Sequence, residues 1–199
     1  MRRALALLFM FVALTAASAQ QSPQTYLSAI ASDPSSTGGQ ARLLHYLSQD
    51  MPIAVYVPPS PQGDGQAMRA AVIRAIKAWQ QAAPDVLNFV VVGQSTPDAI
   101  TVTWRKLTDK VASYRYAFSI NAQNQYRFHT TEVILDPRFQ PDEIYRYALL
   151  AFGQAVGMIG RSPYPGDALS ASPSGHISQR DVATLRALYA VPSGTVLNR

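Results

Sequence analysis

The chain has 199 residues, a formal net charge of +5 and no cysteine. Apolar residues make up 48% of the sequence and charged residues 15%, a composition that can bury a core and that excludes long disorder. The absence of cysteine excludes disulfides, thiolate metal sites and a cysteine nucleophile. The three histidines, His45, His129 and His176, are too widely scattered to form a compact histidine metal motif.

The first 19 residues are typical of a secretory signal peptide. Two arginines at positions 2 and 3 precede an apolar run at 4–15, and Ala-Ser-Ala at 17–19 fits a small-residue cleavage site. About 12 apolar residues are too few for a membrane span, which needs roughly 20; an uncleaved anchor is the alternative interpretation. We therefore expect a secreted, periplasmic or cell-envelope protein with no membrane span after cleavage. The basic residues are spread along the chain, so no nucleic-acid partner is predicted.

Residues 20–50 are rich in Ser, Gln, Gly and Thr, which predicts a flexible N-terminal segment with a linker at 33–39. The compact domain is expected at 51–191, followed by a C-terminal tail at 192–199. An amphipathic helix is predicted at 67–83, where apolar residues share one face and Pro84 follows the end. Alternating or continuous apolar residues predict the strands, some of them weakly, at 53–57, 87–92, 100–104, 114–119, 126–130 and 133–135.

Two further helices are predicted from their end signals. Pro141, followed by Asp142 and Glu143, favours a helix start, and Gly157 is suited to its end. The capping-box pattern at 178–181 begins the last helix, which Pro192 stops. The order of elements predicts an α+β domain, with a twisted mixed sheet of about five strands packed with two long helices and a C-terminal helix.

The second of these helices and the loop after it carry a recognisable pattern. Residues 150–169 read Leu-Ala-Phe-Gly-Gln-Ala-Val-Gly-Met-Ile-Gly-Arg-Ser-Pro-Tyr-Pro-Gly-Asp-Ala-Leu. Together with Pro-Ile-x-Val-Tyr-Val at 52–57, the helix ending in Ala78-Trp79, and Ile-x-Val-x-Trp at 100–104, this stretch resembles the catalytic domain of matrixin-like metzincins, which are secreted zinc metallopeptidases. The family pattern is His-Glu-x-x-His-x-x-Gly-x-x-x-His, with Ser, Asp and a Met-containing turn after it. Five residues match it in register: Gly153, Gly157, Gly160, Ser162 and Asp167.

The resemblance implies a zincin-like (metzincin) fold, but every residue that would perform the chemistry differs. Leu150, Gln154 and Arg161 stand at the three zinc-ligand positions. Leucine has no donor atom, a glutamine amide is a poor zinc ligand, and arginine repels a dication. Ala151 replaces the general base, and Leu169 replaces the Met of the turn. No catalytic residue and no zinc cofactor are therefore expected, which makes the protein a pseudo-metalloprotease.

The predicted function is binding of an extended peptide or protein through the inherited cleft. In the family that this chain resembles, a substrate lies antiparallel to an edge strand, and residues 114–119 stand at that point in the chain order. The predicted groove residues are Tyr116, Ala117, Phe118, Gln154 and Arg161. Arg161 would favour a carboxylate in the bound segment; a sharper hypothesis puts its guanidinium in the vacated cation position, paired with an acid and bonded to Gln154.

Two alternatives remain open. The first is an active zinc metalloendopeptidase with a relocated metal site, for which His129 and His176 are the candidate ligands. The second is a purely structural envelope domain in which the fold serves only as a scaffold. The sequence has neither a Gly-x-Ser-x-Gly nucleophile elbow nor a phosphate-binding glycine-rich loop, so a serine hydrolase and a P-loop enzyme are rejected.

Overall fold

A computed structural model describes residues 24–32, 37–123 and 125–197 of the chain. The predicted signal peptide lies outside these residues. Within them the strands form two sheets, and there are three α-helices, of which the first two pack on the larger sheet. None of the helices in these ranges is long and apolar enough to cross a membrane.

The larger sheet has five strands: β2 Ile53–Tyr56, β3 Phe89–Val92, β4 Ile100–Trp104, β5 Ala112–Ile120 and β6 Tyr126–Leu135. Their spatial order is β3-β2-β4-β6-β5. The neighbouring pairs from β3 to β6 are parallel, whereas β5 runs antiparallel to β6. A two-stranded antiparallel sheet joins β1, Arg42–Leu43, to β7, Thr195–Val196. The predicted α+β class with a mixed five-stranded sheet is thus confirmed.

Strand β6 is one continuous strand, although the sequence pattern predicted two strands, at 126–130 and 133–135. The polar residues His129 and Thr130 interrupt the apolar pattern, but β5 pairs with β6 on both sides of them, and β4 pairs with residues 131–135. The pairing with β5 shifts between Ala117↔Thr130 and Phe118↔Phe128. His129 is therefore the extra residue of a bulge, which a periodic pattern does not reveal.

The helices are α1 Gly65–Ala82, α2 Pro141–Ala155 and α3 Gln179–Tyr189. Helix α1 begins two residues before the predicted start because the Asp64 carboxylate caps it, accepting from the main-chain N–H of Ala67 at 2.9 Å. The predicted capping box of α3 is present, with Ser178 Oγ accepting from the N–H of Asp181 at 3.0 Å. Gly157, just after α2, has φ +116°, as expected of a residue that ends a helix.

One face of the larger sheet is covered by helices. Ile53 and Val55 are buried there, while the intervening residues of β2 are partly exposed. Helix α2 packs on this face, where the rings of Phe89 and Phe152 meet edge to face at 6.5 Å. Helix α1 lies beside α2, and the indole N–H of Trp79 donates to a main-chain carbonyl of α2 at 2.8 Å.

Residues 24–32 and 37–47, here called the N-terminal strap, pack against the domain. The composition of this region predicted flexibility, whereas five of its apolar and aromatic side chains are buried in the same core as the helices: Tyr26, Ile30, Leu43, Leu44 and Tyr46. The main-chain N–H of Tyr26 also donates to the Thr184 hydroxyl of α3 at 3.1 Å. Averaged composition misses the strap because a few apolar residues, spaced among polar ones, provide its burial.

Candidate functional site

Helix α2 carries two of the expected zinc-ligand positions on one buried face. Leu150 and Gln154 are four residues apart, so they project from the same side of the helix. Only 7% of Gln154 is exposed, and its Nε2 donates to the main-chain carbonyl of Gly160 at 3.1 Å and that of Ile159 at 3.5 Å. The amide at the second ligand position therefore holds the loop that follows α2.

Leu150 and Ala151 are part of the hydrophobic core. Both side chains are buried, with at most 2% exposed. A leucine and an alanine side chain have no lone pair with which to bind a metal or accept a proton. Leu150 and Ala151, at the expected first ligand position and the expected general-base position, therefore contribute to packing and can neither bind a metal nor accept a proton.

Gly153 lies where α2 meets two neighbouring side chains. A Cβ at this position would be 2.6 Å from Leu169 Cδ1 and 2.8 Å from Trp79 Cζ2. Leu169, which stands at the Met position of the resemblance, is itself fully buried. Glycine at 153 therefore allows the leucine and the tryptophan to approach the helix closely.

The backbone of the N-terminal strap packs directly against Gly157 and Gly160. A Cβ at Gly157 would overlap the carbonyl of Leu44, and one at Gly160 would overlap the carbonyl of Ala29. Between these two glycines, the N–H of Ile159 donates to a main-chain carbonyl of the strap at 3.1 Å. Two glycines of the zinc-site pattern thus serve here as the surface on which the strap lies.

Ser162 and Asp167 are bonded to each other within the loop that follows α2. Ser162 Oγ donates to the Asp167 carboxylate at 2.5 Å, and the Ser162 N–H donates to the carbonyl of Leu169 at 2.9 Å. Arg180 of α3 pairs with the same carboxylate at 3.1 Å. Burial alone would raise the pKa of Asp167, but the hydrogen bonds from Ser162 and Arg180 outweigh burial and hold the pKa below its ordinary value. These residues join the loop to α3.

Arg161 is exposed, and its guanidinium Nη1 donates to the carbonyl of Ser170 at 3.1 Å. Gln154 donates to main-chain carbonyls instead of contacting this guanidinium, and no ion pair between described residues includes Arg161. The hypothesis of an arginine bonded to Gln154 in a vacated cation position therefore does not describe this site. Burial raises the pKa of the Tyr114 hydroxyl, while the positive charge of Arg161 acts on it in the opposite direction. The Tyr114 hydroxyl of β5 donates to the carbonyl of Ile159, two residues before Arg161, so Arg161 lies in the loop that contacts β5.

Strand β5 is the edge of the sheet, with β6 on one side. Two hydrogen bonds at the ends of β5 show which of its residues face β6: the N–H of Asp136 donates to the carbonyl of Val111, and the N–H of Asn121 donates to that of Gln125. Because hydrogen-bonded positions alternate along an antiparallel pair, every second residue of β5 turns its main-chain groups away from β6. The main-chain groups that point away from β6 belong to Ala112, Tyr114, Tyr116, Phe118 and Ile120. No hydrogen bond of the described residues engages these five N–H or C=O groups.

Three aromatic side chains follow the inner face of this edge. The Tyr114 and Tyr116 rings stack at 6.0 Å, and the Tyr116 and Phe118 rings at 6.2 Å. The Tyr114 hydroxyl donates to the carbonyl of Ile159 at 2.6 Å, which links β5 to the loop after α2. Ala117 lies between the aromatic residues on the opposite, exposed face.

Of the predicted groove residues, Tyr116 and Phe118 lie together on β5, and Arg161 belongs to the loop whose Ile159 carbonyl accepts from Tyr114. Gln154 is buried and bonds to the loop after α2, and Ala117 lies on the opposite face of β5. The sequence interpretation missed Tyr114, although its alternation with Tyr116 and Phe118 was a usable signal.

The candidate replacement ligands His129 and His176 are exposed. Within the described ranges, no three or more His, Asp or Glu side chains are grouped so that they could hold a metal ion.

In comparisons with known proteins, no family model and no curated protein matches the chain.

Proposed function

We propose that the protein is a catalytically inactive, metallopeptidase-like module that binds an extended peptide along the open edge of β5. The observation that carries the proposal is the set of five outward-facing main-chain positions on β5, which have no partner among the described residues. An extended peptide can add to such an edge as a further strand, with affinity from main-chain hydrogen bonds and selectivity from side-chain contacts.

A metzincin-like fold is part of this proposal. It is supported by the mixed sheet with an antiparallel edge strand, by the two long helices and by the C-terminal helix. It is also supported by the matched residues of the pattern. Gly153, Gly157 and Gly160 each allow a close approach, and Ser162 and Asp167 bond to each other, so these residues have packing roles that need no zinc.

The proposed lack of catalysis rests on the side chains at the ligand and base positions. Hydrolysis by a zinc peptidase needs a metal that acidifies water and a carboxylate that moves its proton. Leu150 and Ala151 can do neither, and the Gln154 amide is engaged by the loop carbonyls. We therefore propose that no zinc is bound and that the site was adapted to packing.

Selectivity in this proposal comes from the inner face of β5. Alternate side chains of an added strand would lie beside Tyr116 and Phe118, which favours apolar residues there. Arg161, near Tyr114, would favour a carboxylate in the bound segment because a guanidinium can donate two parallel hydrogen bonds to it. The predicted signal peptide makes the proposed place of binding extracytoplasmic, with a polypeptide of the envelope or the surroundings as the partner.

The test is an NMR titration with a library of eight-residue peptides in which threonine and valine alternate and one position is glutamate. Ala112→Pro removes an outward N–H of β5, and Val91→Pro on β3 at the other edge is the matched control. Since each lost hydrogen bond is worth about 0.5–1.5 kcal/mol, we expect Ala112→Pro to weaken binding by about two- to thirteenfold and the control to leave it unchanged.

Arg161→Ala tests the carboxylate contact, with the exposed Arg105→Ala as a charge-matched control. We expect Arg161→Ala to abolish the preference for glutamate, and Arg105→Ala to retain it. Equal binding by Ala112→Pro and Val91→Pro, or no binding of any library peptide, would replace this proposal with the structural role.

A further inference from the structure

His45 is a buried histidine of the N-terminal strap, and the proposed peptide site does not use it. Only 7% of this residue is exposed. Its Nδ1 lies 2.7 Å from the main-chain carbonyl oxygen of Tyr46, and its Nε2 lies 2.8 Å from that of Val191, just after α3. Both ring nitrogens therefore face main-chain oxygens at hydrogen-bond distance.

The chemistry of these two partners decides how many protons suit the ring. A carbonyl oxygen only accepts, and a neutral imidazole has a single N–H and a lone pair on its other nitrogen. A neutral His45 would thus direct this lone pair at the lone pairs of one of the two carbonyl oxygens. An imidazolium has two N–H groups and can donate to both oxygens at once, in charge-assisted hydrogen bonds.

An aromatic ring also contacts His45. The centroid of the Tyr189 ring in α3 lies 4.5 Å from that of the His45 ring, and the two planes are tilted by 32°. An aromatic ring attracts a cation within about 6 Å of its centroid. The contact therefore adds to the two hydrogen bonds in offsetting the cost of burying a charge.

Titratable side chains stand on two of the elements around this histidine. Tyr189 contacts the ring from α3, and Tyr46 follows it in the strap, whereas residues 190–193 carry no titratable side chain. The acids whose charges act on these two tyrosines are Asp50 and Asp98.

The nearby charged groups are paired with one another and not with the histidine. Asp50 forms an ion pair with Arg127 at 2.7 Å, and Arg186 of α3 forms one with Asp85 at 2.9 Å. No ion pair between described residues includes His45. A proton on His45 is therefore held by main-chain carbonyl groups, whose number does not change with pH.

We propose that His45 is a pH-sensitive latch, which in its doubly protonated form holds the N-terminal strap against the segment after α3. Its main-chain N–H also donates to Ser193 Oγ at 3.2 Å, so the residue makes two bonds to residues 191–193. Loss of one ring proton removes one ring bond and sets a lone pair against a carbonyl oxygen. The neighbouring Leu44 packs its carbonyl on Gly157, so an open latch loosens the strap over the loop after α2.

The sign of the pH dependence follows from the two protonation states. Histidine side chains titrate between about pH 5 and pH 8. The fold sets two acceptors against the His45 ring, which the unfolded chain does not, so the second ring proton favours the folded state. The stabilisation is complete at the acid end of this range and is lost as the pH rises through it.

Long-range ¹H–¹⁵N spectra of the purified wild-type protein, labelled with ¹⁵N-histidine, read the ring directly. At about pH 7, where an exposed histidine is mostly neutral, the two ring nitrogens of His45 should still show the similar shifts of an imidazolium. The exposed His129 and His176 provide the comparison in the same spectrum. A neutral His45 ring with a single tautomer at this pH would overturn the inference.

Urea denaturation between about pH 5 and pH 8 measures the effect on stability. The unfolding equilibrium constant of the wild type should rise about tenfold over this range, and that of His45→Gln should rise less, because an amide does not titrate. His176→Gln is the matched control; it removes an exposed histidine and should keep the wild-type dependence. Equal pH dependences of the two variants would refute the latch, and the wild-type ring spectra decide if His45→Gln does not fold.

Discussion

Replacing Gly160 with alanine is the sharpest test of how the N-terminal strap is held. The new Cβ would overlap the carbonyl of Ala29 and lie 2.8 Å from its carbon and 3.2 Å from Ile30 Cα. All of these atoms are backbone, so no side-chain rotation can relieve the overlap. The strap must move away from the loop, or the loop must move away from α2.

The expected magnitude follows from what such a movement costs. Overpacking in a close-packed region costs about 1–3 kcal/mol. A displaced strap also loses the hydrogen bond from Ile159 to Ile30, worth about 0.5–1.5 kcal/mol. Part of the burial of the Ile30 side chain, which is about 1.5–3 kcal/mol when complete, is lost as well. We therefore expect Gly160→Ala to lower the free energy of unfolding by about 2–4 kcal/mol.

Urea denaturation measures this loss, and amide hydrogen exchange of residues 24–32 shows whether the strap opens. Gly93→Ala is the control, since a Cβ there meets no atom within 4 Å; it should change stability by less than about 0.5 kcal/mol. If the two variants unfold at the same urea concentration and the strap amides exchange as in the wild type, then the strap does not pack on this loop.

Three further predictions concern the metal positions, the acid response and the anchor of the strap. The first variant places histidine at all three expected ligand positions by Leu150→His, Gln154→His and Arg161→His. In a thermal shift assay, zinc should raise the melting temperature of this variant but not that of the wild type. An equal response of the two proteins to zinc would contradict the alignment. Hydrogen bonds from Arg138 hold the pKa of Asp136 well below its ordinary 3.8, so this carboxylate stabilises the fold above about pH 4 and the stabilisation is lost as the pH falls further. Between pH 6 and pH 3 the urea midpoint should therefore fall less in Asp136→Asn than in the wild type, and parallel curves would refute this. Tyr26→Phe removes the hydroxyl that donates to the buried Asp181, which should cost about 1.5–3 kcal/mol in urea denaturation; a change below about 0.5 kcal/mol would show that the bond contributes nothing.

Local signals in the sequence predicted the helices well. The capping box at Ser178 and the helix-ending glycine at 157 are both present in the structure, because each depends on residues within one helical turn. The strand pattern was less informative at β6, where the polar residues at the bulge broke the period. Alternation of apolar residues predicts a strand that is buried on one face. It does not predict strand residues that are polar and are held in the sheet by hydrogen bonds to a neighbouring strand.

The sequence by itself determined the types of most elements and the α+β class, since these follow from side-chain chemistry and short-range spacing. Only the tertiary structure decided that β6 lies between β4 and β5, which leaves β5 at the edge. It also decided that the N-terminal strap packs on Gly157 and Gly160. These outcomes depend on contacts between residues far apart in the chain. Burial and pairing of that kind are set by packing of the whole domain, which no local window of sequence contains.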